Sequence, residues 1–285
     1  MKNTVERTSF FSRDALVDYH IHSAYSVDSE ADMAGHCRRA VELGLSEICF
    51  TEHMDFDPAE SNTGYFDYDL YMGQIARIQT QFDGSLCVRA GVEIDYVPQF
   101  EREISAFLTG KDFDFVLGAV HYLDGFNISE PRAWDYFRGK DVEDAYGRYF
   151  ERVAQCAQFP MFDSLGHLDL VKRFGTEYYG PLRFGQFEDQ IRQVLKAAIA
   201  SDTGIEINTS GLRQSPKETY PSIDVLRLYE KLGGKVVIIG SDAHVPSDLG
   251  RGLDEALRML YSAGFKSLAR FEKRRRCETP IGRTK

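Results

Sequence analysis

Short apolar runs rich in β-branched and aromatic residues recur along the chain, each followed by a longer segment whose apolar positions fall at helical spacing. The runs predict strands over residues 16–20, 47–50, 87–92, 113–120, 162–167, 204–208 and 235–239. The longer segments predict helices over 32–45, 70–82, 99–108, 142–158, 187–201, 222–232 and 253–263. Strand and helix alternating in this way mark a parallel sheet wrapped by helices. The punctuation agrees: Gly44 follows the first helix, Pro98 opens the third, and Gly233-Gly234 ends the sixth. Seven such units suit an α/β fold of the TIM-like type, a distorted (β/α)7 barrel. An open doubly wound sheet stays possible, although no G-x-G-x-x-G loop follows the first strand. Two long connections, 54–69 and 122–141, have the length of lids or flexible excursions.

The 285 residues, 43% of them hydrophobic, suffice for one sizeable core, so 1–285 is read as a single domain with its barrel over about 16–265. No apolar run approaches the roughly 20 residues needed to cross a bilayer, and residues 1–15 lack the apolar centre of a signal peptide. A soluble, cytoplasmic protein is expected. Five scattered cysteines without a C-x-x-C pair suggest neither a disulfide framework nor a thiolate zinc site. The formal charge of −10 argues against nucleic acid as a partner. One basic run, 273–276, opposes it and is read as a solvated face.

The histidines change the picture. Asp18-Tyr-His20-Ile-His22 ends the first predicted strand, and alternate residues of an extended strand point to the same side. Alone, such a pair fits two half-buried histidines as well as two metal ligands. The remaining units repeat the placement, however. Asp28 follows in the first loop, His53 ends the second strand, Glu93 the third, His121 the fourth and His167 the fifth, while Asp242 and His244 end the seventh. Parallel barrel strands deliver these ends to one face. Imidazole and carboxylate suit zinc, manganese or iron, and a carboxylate can bridge two ions. The leftover His36 reads as a boundary residue of the first helix without chemistry.

The motifs DYHIHS, TEH, GVEID, GAVH, GHLD and GSDAH, in this order and at barrel-unit spacing over residues 18 to about 245, resemble the polymerase and histidinol phosphatase (PHP) superfamily. The segments 206–213 and 271–281 are similar to its histidinol-phosphatase branch. The resemblance implies a barrel holding three divalent metal ions. His20, His22, Glu93 and Asp242 would hold the first; Glu93, bridging, would share the second with His121 and His167; Asp28, His53 and His244 would hold the third. It also implies a phosphoric monoester hydrolase that converts L-histidinol phosphate to L-histidinol and phosphate.

Phosphate monoesters hydrolyse very slowly in water, so a phosphatase needs a strong nucleophile and neutralised phosphoryl charge. Metal ions provide both, and attack by a metal-bound hydroxide between the first two ions is expected. Glu93, Asp242 and His244 are the candidate catalytic residues, and Asp242, His244 or a metal-bound water is the source of the leaving-group proton. Three divalent ions bring about +6 against about −3 from three carboxylates, so the site is cationic within an acidic chain. Arg173 and Arg213 are placed to bind the phosphate ester, and each also fits an ordinary surface arginine. The acidic and aromatic stretch 54–69 suits the ammonium and imidazole of histidinol phosphate, or is a solvated loop. The alternatives are a phosphoesterase of the same superfamily acting on another small phosphate, a nucleotide or a phosphotyrosyl protein; an amidohydrolase; and a non-catalytic metal-stabilised module.

Overall fold

The structure, a computed structural model, describes residues 11–58 and 62–282. Seven parallel strands run β1 (Val17–Ile21), β2 (Glu47–Met54), β3 (Cys87–Asp95), β4 (Phe115–Ala119), β7 (Ser164–Leu165), β8 (Gly204–Asn208) and β9 (Val237–Gly240), paired in that order. Between β4 and β7 lies a minute antiparallel hairpin, β5 (Tyr122–Leu123) with β6 (Phe126–Asn127). The edges β1 and β9 meet: Ile21 bridges Ala243, and Asp242 N donates to His20 O at 2.8 Å. The result is a nearly closed TIM-like barrel, as the sequence pattern anticipates.

Helices cover the outside: α1 (Met33–Leu43), α2 (Tyr68–Gln81), α3 (Glu101–Leu108), α4 (Ala133–Phe137), α5 (Val142–Gln158), α6 (Lys172–Tyr179), α7 (Glu188–Ala200), α8 (Ile223–Lys231) and α9 (Leu253–Ser262). Three of them start at aspartates that accept a first-turn N–H: Asp32 from Gly35, Asp67 from Leu70 and Asp141 from Asp144. Gly44 ends α1 in the left-handed conformation, where its N–H reaches Ala40 and Val41 carbonyls.

The structure departs from the sequence expectation at informative places. The strand β2 continues four residues past 50 and pairs with β3 from Glu47↔Cys87 to Met54↔Ile94. Thr51, Glu52 and His53 interrupt the apolar run without interrupting the backbone ladder. Conversely, β7 keeps only two residues of the expected six. It stops short of His167, whose φ is 23°. The connection 122–141 is not structureless: it holds β5, β6 and α4. Residues 59–61 of the other long connection lie outside the described residues. His36 is fully buried against Phe50 instead of lying at a boundary, and burial pushes its imidazole down to about 4.

A second hairpin, β10 (Ser267–Glu272) with β11 (Arg275–Pro280), crosses the N-terminal ends of the barrel strands. Phe271 packs on Phe115 and Tyr19 at ring distances of 5.0 and 6.5 Å. The basic run is therefore only partly a solvated face: Lys273 and Arg274 form the turn, with φ of 50° and 63°. Arg274 pairs with Asp163, and Arg276 with Asp202 at 2.9 Å. Arg270 and Arg89 both pair with the buried Glu47. No helix among the described residues is long and apolar enough to cross a membrane.

Candidate metal centre

The C-terminal ends of the strands bring all nine candidate ligands to one place. His20 Nε2 and His22 Nε2 stand 3.0 Å apart, and both face Glu93 Oε2, at 3.2 and 3.5 Å. Asp242 Oδ1 lies 3.7 Å from the first and 3.5 Å from the second. The other carboxylate oxygen of Glu93, Oε1, faces His167 Nε2 at 2.9 Å and His121 Nε2 at 3.4 Å, and those nitrogens are 3.2 Å apart. Asp28 Oδ2 sits 3.0 Å from His244 Nε2 and 3.5 Å from His53 Nε2. His53 Nδ1 returns to Glu93 Oε2 at 3.1 Å. Glu93 thus faces one donor set with each oxygen. His20, His22, Glu93, His121 and His167 are buried, His53, Asp242 and His244 are partly so, and Asp28 is exposed.

These spacings fit a bound metal. Donors about 2.0–2.1 Å from a tetrahedral zinc lie ~3.3 Å from one another. The observed separations, 2.9 to 3.7 Å, bracket that edge length. Hydrogen bonding does not account for the cluster, because the buried Glu93 Oε2 has no partner of acceptable geometry despite three nearby imidazoles. Among the described residues no lysine or arginine reaches the side chain of Glu93 or of Asp242 at ion-pair distance.

The charge pattern follows from this crowding. Burial alone would raise Glu93, but His20, His121 and His53 hold it well below the carboxylate range. Asp242 is likewise held down against burial, chiefly by His20. Burial pushes His22 well down, reinforced by His53 and His244, and brings His121 to about 3. Both rings are therefore neutral and carry a free lone pair, as metal ligation requires. His20 moves the other way: burial opposes its charge, and Glu206, Glu93 and Asp242 outweigh burial.

Several supporting residues carry no signal in the hydrophobic pattern. Glu206 Oε1 holds His20 Nδ1 at 2.8 Å, and Glu206 Oε2 accepts the His167 backbone N–H at 2.8 Å. Asp18 accepts the N–H of Ser241 at 2.8 Å and of Gly250 at 3.1 Å, pinning the loop that carries Asp242. Gly240 must lack a side chain, since a Cβ there would lie 2.3 Å from both His20 Cβ and Glu206 Oε1. Two candidate ligands, His167 and Asp242, sit at positive φ, 23° and 54°, the kind of backbone strain that clusters at functional sites. Acids buried on strand interiors, such as Asp18 and Glu206, were the available clue.

A cavity of about 490 Å³ opens over the centre, lined by His53, Glu93, His121, His167, Asp242, His244 and Arg173. Arg173 is brought there beside Lys172, which is fully buried and bonded to Asp169 Oδ2 at 2.8 Å, Glu218 Oε1 at 2.9 Å and Thr219 O at 2.9 Å. Arg213 lies behind the wall and not on it. Its Nη2 donates to Ser241 O at 2.8 Å, bracing the Asp242 loop, and Nε lies 3.5 Å from Asp248. Of the stretch 54–69, Asp55 and Asn62 face the cavity. Three of its four aromatic rings turn inward, Phe56 packing on Phe107, Phe66 on Tyr71 and Tyr68 on Phe113, while Tyr65 stays exposed. Asn127, Ser129 and Glu130, from a segment that composition did not single out, line the cavity as well.

A PHP domain family model matches residues 18–210. The histidinol-phosphatase of Lactococcus lactis subsp. lactis (strain IL1403) is 32% identical over 263 residues, covering 90% of this chain and 94% of that protein. The histidinol-phosphatase of Bacillus subtilis (strain 168) is 26% identical over 259 residues, covering 82% of this chain and 95% of that one. The crystal structure of histidinol phosphate phosphatase from Lactococcus lactis, complexed with zinc, L-histidinol and phosphate, matches with a TM-score of 0.83 at 30% identity, over 92% of this chain and 99% of that chain. Motif order, barrel and donor cluster agree with these likenesses, and the chain belongs to the PHP domain family.

Proposed function

We propose that this protein is a histidinol phosphatase, a metal-dependent phosphomonoesterase that hydrolyses L-histidinol phosphate to L-histidinol and phosphate. The observation that carries the reading is the complete donor cluster beneath an open cavity, in a chain similar over nearly its full length to a phosphatase crystallised with zinc, L-histidinol and phosphate. His20, His22, Glu93 and Asp242 hold a first divalent ion; Glu93, His121 and His167 a second; Asp28, His53 and His244 a third. Zinc, manganese and iron all suit such donors. Divalent ions in these sites neutralise the phosphoryl charge and make water nucleophilic near pH 7.

The chain's own groups do the rest. Glu93 spans the first two sites with its two oxygens and fixes their separation. Arg173 presents a guanidinium fork to the phosphate from the cavity wall, while Arg213 acts behind it by holding the 241–242 backbone. Asp242 takes hydrogen bonds on Oδ2 from Asn208 and Ser210, both at 3.3 Å, which aims Oδ1 at the histidines. Asp242 and His244 both line the cavity where the departing alkoxide would form, and since both ligate in the unprotonated form its proton would come from water. Asp55 and Glu130, both lining the cavity, complement the ammonium and imidazole of the substrate. With the whole chain 1–285 working as one unit in histidine biosynthesis, its place is the cytoplasm.

Phosphate release from L-histidinol phosphate, measured beside sugar, nucleotide and phosphotyrosine esters with the bound metals counted by mass spectrometry, tests the reading. The expected outcome is a strong preference for histidinol phosphate, abolished by chelation and restored by zinc or manganese. Equal, weak turnover of every ester in metal-loaded protein overturns the substrate and keeps the phosphatase; no turnover overturns both.

A further inference from the structure

Two neighbouring histidines of the centre are held by different devices. His20 Nδ1 meets the buried carboxylate of Glu206 directly, at 2.8 Å. His22 Nδ1 instead meets an alcohol, Ser26 Oγ, at 3.1 Å. An alcohol both gives and takes hydrogen bonds, so by itself it does not decide which ring nitrogen of His22 bears the hydrogen.

Glu52 removes that freedom. Its fully buried carboxylate collects three donors: Ser23 N at 2.9 Å, Ser23 Oγ at 2.6 Å and Ser26 Oγ at 2.6 Å. Ser26 owns a single hydroxyl hydrogen, and the short contact to Glu52 Oε2 uses it. Only lone pairs of Ser26 Oγ remain. One accepts the backbone N–H of His53 at 3.0 Å. The other faces His22 Nδ1, so that nitrogen is the donor.

We propose that Glu52, acting through Ser26, is a positioning pair that keeps the His22 proton on Nδ1 and leaves Nε2 bare toward the centre. His22 Nε2 is the atom that stands 3.5 Å from both Glu93 and Asp242. The same hydroxyl clamps the backbone of His53, so one serine sets a ligand of the first ion site and steadies a ligand of the third. Outer partners of this kind fix the orientation and tautomer of a ligating imidazole. Neither residue touches substrate in this scheme.

The inference rests on the metal reading of the site and is independent of the substrate. Its test measures zinc affinity by competition with a chromophoric chelator, and the nitrogen-15 NMR pattern of His22 in zinc-free protein, for wild type, Glu52→Gln and Ser26→Ala. The amide in Glu52→Gln keeps the size of the side chain but offers an N–H to Ser26. That frees the hydroxyl hydrogen to turn to His22 Nδ1 and drives the ring proton to Nε2. The expected result is an Nδ1-protonated His22 in wild type, more Nε2-protonated ring in Glu52→Gln, and zinc affinity about 10- to 100-fold weaker in both variants. An Nε2-protonated His22 in wild type overturns the relay, and needs no variant to fold. Wild-type zinc affinity in folded variants overturns it too while leaving the metal site standing. A wild-type protein that binds no zinc overturns both.

Discussion

Two buried glutamates on adjacent strands, Glu47 at the start of β2 and Glu93 toward the end of β3, have opposite surroundings. Each is 0% exposed. Glu47 is answered from within the chain: Arg270 reaches Oε1 at 3.0 Å and Oε2 at 2.7 Å, Arg89 reaches Oε2 at 3.0 Å, and the Tyr19 hydroxyl donates to Oε1. Glu93 is surrounded by five imidazoles and, among the described residues, by no lysine or arginine at ion-pair distance. A buried ion network complete in itself is structural, whereas carboxylates ringed by imidazoles complete their charge balance by binding ions. The N-terminal end of the barrel is a finished seal. The C-terminal end is a receptor.

The sharpest way to break this contrast is Glu93→Gln. Supporting residues around a metal typically cost up to about 100-fold, so loss of the shared ligand is expected to lower kcat by more than about 100-fold and to lower the bound metal count. The melting temperature of metal-free protein is expected to hold. If that temperature falls instead, Glu93 belongs with Glu47 as a structural acid. The converse substitution, Arg270→Met, strands a buried carboxylate with one arginine and is expected to cost about 3 kcal/mol of stability with kcat/KM unchanged at a temperature where the variant is folded. Denaturant unfolding beside steady-state kinetics checks it.

Acidification separates the two ends more gently. Metal ligation needs unprotonated imidazoles, and the carboxylates beside His20 favour its protonation, so metal and activity are expected to leave as pH falls and that ring takes up a proton. Glu47 behaves otherwise. Burial would raise it, but Arg270 and Tyr19 hold it below its ordinary value of 4.5. Its contribution to stability is therefore complete above 4.5 and is lost only as pH falls from there toward the lower folded value. Activity and far-ultraviolet circular dichroism followed from pH 8 to 3 should lose activity first; coincident loss would mean that the metal cluster also holds the fold.

The same contrast explains what the sequence disclosed. Barrel strands and wrapping helices announce themselves because apolar periodicity records burial, and β8 matches the expected 204–208 at both ends. The nine clustered ligands were legible because histidine recurring at strand ends is rare without cause. The seal was not legible. The hairpin β10–β11 alternates apolar and charged residues near a basic run, and the partners of that run, Asp163 and Asp202, lie 74 to 111 positions away. Side-chain direction was also hidden. Arg213 follows a strand end as the ligands do, yet folds back onto the Ser241 carbonyl. Glu52 and Ser26 look like ordinary polar residues until the loop 23–29 closes against β2.

The seal has a practical corollary. Phe11 bridges Gly282, and Ser12 N donates to Ile281 O at 3.1 Å, so the first and last described residues lie side by side on the face away from the cavity. A linker or surface anchor attached there leaves the mouth unobstructed, and a short splice across 11 and 282 would let the chain be reopened in an exposed loop without moving a ligand. The molecule is thereby laid out like a cup with its handle on the underside, suited to being tethered in series with other catalysts while its rim stays free.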